Sequence, residues 1–144
     1  MTQLDTPPSA LSADPAEIAA IIRNYHTIAV VGLSPDPSRP SYQVAHYLQS
    51  QGYRIIPVNP KCQEILGEPC YPRLQDIPEP VEIVDIFRQA EAIPAIVEEA
   101  IAIGAKVVWM QLGLEHPAAA LRARQAGLQV VMNRCLKVEH AQLS

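Results

Sequence analysis

Apolar positions in this chain of 144 residues fall into blocks of two kinds. Short β-branched runs recur at 27–31, 53–58, 81–87, 106–111 and 129–132, each apolar almost throughout, the pattern of a strand buried on both faces. Between them the spacing turns helical: Val44, Tyr47 and Leu48 within 41–50, Ile93, Ile96, Val97, Ala100 and Ile101 within 91–103, and a further stretch at 116–126. Gly52, Gly104 and Gly127 stop these helices, and Pro94 fits only a first turn. An earlier helix over 14–24 opens on Asp14-Pro15-Ala16-Glu17, a capping residue, a proline and an acid in starting order, with Ile18, Ile21 and Ile22 as its stripe.

Residues 1–13 carry no apolar period and predict a loose or docked tail. The Gly- and Pro-containing stretch 62–80 predicts a long connection with a short helical turn near 74–77. Strand and helix otherwise alternate, and parallel neighbours need crossover connections. The expected fold is therefore α/β: a Rossmann-like, doubly wound domain over 14–144, with five parallel strands and helices on both faces. The length suits one core, and no repeat or linker divides it.

Composition adds limits. A chain 49% hydrophobic and 18% charged is globular, and a net charge of -4 argues against a sequence-independent nucleic-acid binder. Any anion site must be local. No run approaches the roughly 20 apolar residues of a membrane span, and the N-terminus lacks the pattern of a secretory signal. The expectation is a cytoplasmic protein with no membrane and no nucleic-acid partner. Cys62, Cys70 and Cys135 form an odd set without metal-site or redox spacing, so reduced thiols are expected.

Ligands of doubly wound sheets sit beyond the carboxyl ends of the strands, where strand order reverses. The first strand runs into VVGLSPDPSRPSY, residues 30–42, which supplies Gly32, Ser34, Ser38, Arg39 and Ser41. The second ends in Asn59, Pro60 and Lys61, the third in Phe87 and Arg88, and the fourth in Gln111, Gly113 and Glu115. A single strand-end cation is usually a solvated surface charge, but three on successive loops point to a phosphate. Ser41 opening a helix adds free N–H groups and the positive end of its dipole. A dinucleotide fits badly, because the three-glycine fingerprint is absent and the second strand ends in a lysine instead of the acid that holds a ribose hydroxyl. That lysine suits a ribose phosphate.

Other candidates weigh less. His26, His46, His116 and His140 have no metal-site spacing and read as structural or surface residues. Cys135 has two readings: a buried inert thiol, or a thiol activated by Arg134 that forms a mixed disulfide with a ligand. Trp109 and Met110 point to opposite faces of one strand and read as core. No nucleophile, base and orienter form a recognisable set, which favours a binding module. The alternative is a small enzyme with a nucleotide cofactor, either a nicotinamide-dependent oxidoreductase or an acyl-CoA-processing protein.

Together, VVGLSPDPSRPSYQVAHYLQSQGYRIIPVNP, ILGEPCYPRLQDIP, VDIFRQAEAIP, VVWMQLGLEHPAA and VVMNRCLK resemble the small stand-alone CoA-binding proteins, which are similar to the CoA-binding domain of the succinyl-CoA synthetase alpha subunit. The resemblance runs from about Asp14 to His140. It implies coenzyme A or an acyl-CoA as ligand. Gly32, Ser34, Arg39 and Ser41 would form a first phosphate loop, and Asn59, Pro60 and Lys61 a second. Phe87 and Arg88 would border the nucleotide, and Gln111 and Gly113 would form the fourth-strand loop. The synthetase's phosphorylated histidine belongs to another domain, so its ligase chemistry does not carry over, and no protein partner is implied.

Overall fold

The computed structural model describes residues 11–143. In chain order the elements are α1 (Pro15–Asn24), β1 (Thr27–Val31), α2 (Pro40–Ser50), β2 (Arg54–Val58), a hairpin of β3 (Glu64–Ile65) and β4 (Glu68–Pro69), and a 3-10 turn at Leu74–Asp76. Then come β5 (Ile83–Ile86), a second 3-10 turn at Ala90–Ala92 leading into α3 (Ile93–Ala102), β6 (Val107–Met110), α4 (Pro117–Gln125), β7 (Gln129–Val131) and α5 (Leu136–Leu143). Five strands form one parallel sheet in the order β2-β1-β5-β6-β7. This is the expected Rossmann-like architecture.

Alternation along each strand builds two cores. On one face Ile28, Val30, Ile55, Ile83, Val107 and Trp109 pack against Ile18, Ile21 and Ile22 of α1, Val44 and Leu48 of α2, and Leu136 of α5. On the other, Ala29, Ile56, Val84, Ile86, Val108 and Met110 meet Ile93, Ile96 and Val97 of α3 and Ala119, Ala120 and Ala123 of α4. Trp109 and Met110 thus serve opposite layers. The Glu17 N–H donates to Asp14 Oδ1 (2.8 Å), the cap that the sequence predicts, and the Ala119 N–H donates to His116 Nδ1 (3.1 Å), a cap that it does not. All three cysteines are free, and burial pushes the Cys70 thiol up to about 11.

Two elements have no counterpart in the sequence reading. The β3–β4 hairpin lies inside the connection expected over 62–80, and α5 follows the last strand. Only Leu136 of α5 is buried, so the helix has no apolar stripe to betray it. Of the tail expected over 1–13, residues 11–13 dock along β7, while residues 1–10 lie outside the described residues. Leu11 and Ala13 are buried, the Ala13 N–H donates to Val130 O (2.7 Å), and the Met132 N–H donates to Ser12 Oγ (2.9 Å). Arg124 completes this edge by donating to Leu11 O (3.0 Å) and Val130 O (3.3 Å) while pairing with Glu17. On the opposite edge, the Tyr71 N–H donates to Pro57 O and the Asn59 N–H to Tyr71 O, both at 3.0 Å.

Asp85 stands at the middle of the sheet, level with Val30 and Trp109 on its flanking strands. It is fully buried, and neither carboxylate oxygen has a hydrogen-bond partner. Burial pushes its pKa well above the ordinary carboxylate range. Between the unfolded value near 4 and that raised value, the native state binds more protons than the unfolded state. Stability contributed by the neutral form is therefore complete below about pH 4 and is lost as pH rises towards the folded pKa. Glu17, Glu79 and Glu98, whose pKa values are lowered by arginine hydrogen bonds, act oppositely, and only in acid. We expect unfolding free energy to fall by up to about 1.4 kcal/mol per pH unit above pH 5, and Asp85→Asn to remove that slope. Urea melts of both proteins from pH 5 to 8 check this; equal slopes would place the titration elsewhere.

Candidate functional site

Strand order dictates where the sheet opens. From β1 the chain crosses to β2 on one side, and from β5 it crosses to β6 on the other. The two crossings diverge, leaving a crevice beyond the ends of β1 and β5. A cleft of about 960 Å³ occupies that place, lined by Gly32, Ser34, Arg39, Pro40 and Ser41 on one side and by Phe87, Arg88, Gln89, Glu91, Ala92 and Leu114 on the other.

Its first wall is a folded loop. Gly32 turns the chain at φ +89°, and a Cβ there would stand 2.3 Å from Phe87 O and 2.9 Å from the Arg88 side chain. The Phe87 N–H donates to Val31 O (2.8 Å), so the ends of β1 and β5 are locked together at this glycine. Beyond it, the Ser34 N–H donates to the buried Ser41 Oγ (3.0 Å), and the Asp36 N–H to Ser34 Oγ (3.1 Å). The Ser38 N–H and hydroxyl both donate to Asp36 Oδ1, holding that carboxyl below its usual range. Serine and aspartate side chains thus replace the missing glycines in shaping the turn.

Charge is left open at this wall. Arg54, Arg73, Arg122, Arg124 and Arg134 each pair with a carboxylate. Arg39, Arg88 and, away from the cleft, Arg23 have no carboxylate in salt-bridge contact among the described residues, and Arg39 lends its charge to Asp36 of the same loop. Pro40 begins α2 and no side chain caps it, unlike the capped starts of α1 and α4. The free N–H groups of the first turn and the helix dipole therefore reinforce the two guanidiniums. Glu91 is the acid on the facing wall. An anion that brings its own negative charge is the natural complement.

The other sequence candidates stand apart from these walls. Asn59 is a brace: its Nδ2 donates to Leu33 O (2.9 Å) and its Oδ1 accepts the Lys61 N–H (2.8 Å). Pro60 and Lys61 are exposed at the end of β2, outside the cleft lining. Gln111 is buried, and its Oε1 accepts the Leu136 N–H (3.2 Å) at the start of α5. The Gly113 N–H donates to Asn133 Oδ1 (2.6 Å), and the Asn133 N–H donates to Leu114 O (3.0 Å). Asn133, which is not among the sequence candidates, adopts φ +59° to make both bonds and so sets the loop that carries Leu114 to the cleft. Cys135 is half-buried in a second cleft beyond β6 and β7. Among the described residues no group of His, Cys, Asp and Glu could hold a metal ion, and no helix is long and apolar enough to cross a membrane.

A crevice at a topological switch point, with a serine-lined loop and an open helix N-terminus, defines a Rossmann-like ligand-binding domain. The model of the CoA binding domain matches residues 26–141, and the chain belongs to that family. It is 42% identical over 126 residues to the uncharacterized protein YneT of Bacillus subtilis (strain 168), covering 88% of this chain and 93% of that one. A solved structure, described as a hypothetical protein from Pyrococcus horikoshii OT3, superposes with a TM-score of 0.89 at 42% identity, covering 96% of this chain and 97% of the other. A stretch of 72 residues is 39% identical to the ADP-forming acetate–CoA ligase I of Archaeoglobus fulgidus, half of this chain but only 10% of the ligase.

Gly32 and Gly113 allow the contact to be separated from the backbone strain. Both have positive φ, +89° and +91°, but nothing lies within 4 Å of a Cβ at Gly113. Gly113→Ala is expected to cost the left-handed conformation alone, about 1–3 kcal/mol. Gly32→Ala adds a collision with a backbone carbonyl, and we expect it to lower the melting temperature at least about twice as far. Similar losses for both, measured by thermal unfolding, would show that the ends of β1 and β5 can part.

Proposed function

We propose that this chain is a cytoplasmic module that binds coenzyme A or an acyl-CoA in the cleft between β1 and β5. The observation that carries the reading is the pair of unpaired arginines, Arg39 and Arg88, beside an uncapped helix start in a member of the CoA-binding domain family. In this reading the loop from Gly32 through Ser34 to Ser41 and the first turn of α2 hold the pyrophosphate, with Arg39 supplying charge. Arg88 faces the same phosphates from β5, and the half-buried ring of Phe87 borders the nucleotide.

Lys61 takes the ribose 3′-phosphate, because the end of β2 is where this architecture reads the ribose. Its position outside the cleft lining fits a contact with the outer end of the nucleotide, and Asn59 and Pro60 fix the turn that presents it. Gln111 and Gly113 act indirectly, by holding the β6 loop that borders the cleft.

Dephospho-CoA lacks only the 3′-phosphate, so two variants and two ligands test the assignment. Lys61→Ala is expected to weaken CoA roughly three- to tenfold, allowing for solvent exposure, and to leave dephospho-CoA unchanged. Arg39→Ala should weaken both by a similar factor. Titration calorimetry reads all four affinities; equal losses for Lys61→Ala with both ligands would refute the ribose-phosphate role, and no binding of CoA by the unaltered protein would refute the function.

A further inference from the structure

Large apolar side chains stand exposed at three places among the described residues: Leu112 (71%), Val138 (47%) and Leu143 (39%). Leu112 and Val138 line one and the same cleft, about 510 Å³, beyond the carboxyl ends of β6 and β7. Met132, Ala13 and Cys135 add apolar and sulfur surface, while Ser12, Asn133, Glu115, Arg134 and Glu139 supply the polar part of the lining. Exposed apolar groups gathered in a concavity mark a binding surface more than scattered ones do. Arg134 is already paired with Glu139 (3.6 Å), which leaves Glu115 as the uncompensated charge. Such a rim repels an anionic guest.

The second cleft continues the first. Both open at the carboxyl edge of the sheet, and a single loop serves both, Leu114 facing the first and Leu112 and Glu115 the second. Neighbouring strands are about 4.8 Å apart, so the step from the β1/β5 junction to the β6/β7 junction is roughly 10 Å. The pantetheine arm of CoA, comparable in reach to about four residues of extended chain, or roughly 13 Å, spans that step. We propose that the second cleft holds the uncharged acyl chain of an acyl-CoA whose nucleotide occupies the first, so that the preferred ligand is an apolar acyl thioester and not free CoA. This rests on the CoA-binding reading of the first cleft and specifies its ligand. The thioester carries no free thiol, so an intact acyl-CoA cannot form a mixed disulfide with Cys135.

The test titrates the unaltered full chain with CoA, butyryl-CoA, hexanoyl-CoA, octanoyl-CoA and succinyl-CoA, and repeats the series with Leu112→Asp and Val138→Asp. These positions are exposed enough to accept aspartate without unfolding, and Leu112→Met serves as the apolar control. Affinity is expected to rise about two- to fourfold per added methylene, with no gain for succinyl-CoA. Both aspartate variants should lose the chain-length gain and keep their affinity for CoA itself, whereas Leu112→Met should keep the gain. CoA binding that is indifferent to chain length, or a gain that survives both aspartates, would overturn the acyl site and leave the CoA reading intact. A flat series with a change of assembly size in the aspartate variants, read by native mass spectrometry, would overturn it in favour of a surface for a second copy. Failure of every ligand, CoA included, would remove the CoA reading and this inference with it.

Discussion

The approach of two backbones at Gly32 governs the rest of the site. β1 and β5 are neighbours whose following connections leave in opposite directions, so only their ends hold the crevice together. They meet where Phe87 O occupies the space that any side chain on residue 32 would need. From this fixed point the serine-rich loop runs one way to the start of α2, and the 3-10 turn runs the other way to α3. Arg39 and Arg88 belong to different strand ends and still line one volume because that contact sets their separation.

Electrostatics then separates ion pairs that tie elements together from charges left open at the cleft. Arg54 is held by Glu68 and Glu79 beneath the hairpin, Arg122 by Glu98 between α3 and α4, and Arg124 by Glu17 beside β7. These pairs fix elements to one another. The cleft has cations without such partners, and a helix start without a cap, in a chain whose formal net charge is -4. The positive character of this wall is a matter of placement and owes nothing to overall charge.

Much of this was legible in the sequence because the signals were local. Apolar runs set the five strands, and Gly32, Ser34, Arg39 and Ser41 follow one of them within ten residues, so position along the chain was position in space. Phe87 and Arg88 needed only the strand order. What stayed hidden depended on distant partners. Gln111 and Gly113 read as ligand-facing because they follow a strand, yet their bonds run to Leu136 and Asn133, 25 and 20 positions further along the chain. The helix α5 lacks a stripe since only Leu136 turns inward. Asp85 was masked by its neighbours: a lone acid in an apolar run changes neither the period nor the element, and only the packed sheet reveals that it has no partner.

Both outer strands are partly covered. Residues 11–13 and Arg124 occupy the backbone groups along β7, and Tyr71 does the same beside β2. An open parallel sheet invites another chain to add a strand, and here part of each outer strand's ladder is already taken among the described residues. That cover works against lateral growth and edge-to-edge aggregation. The helical faces and the carboxyl edge carry no such cover, so they present side chains and loops, where the sheet's sides present backbone already partly paired.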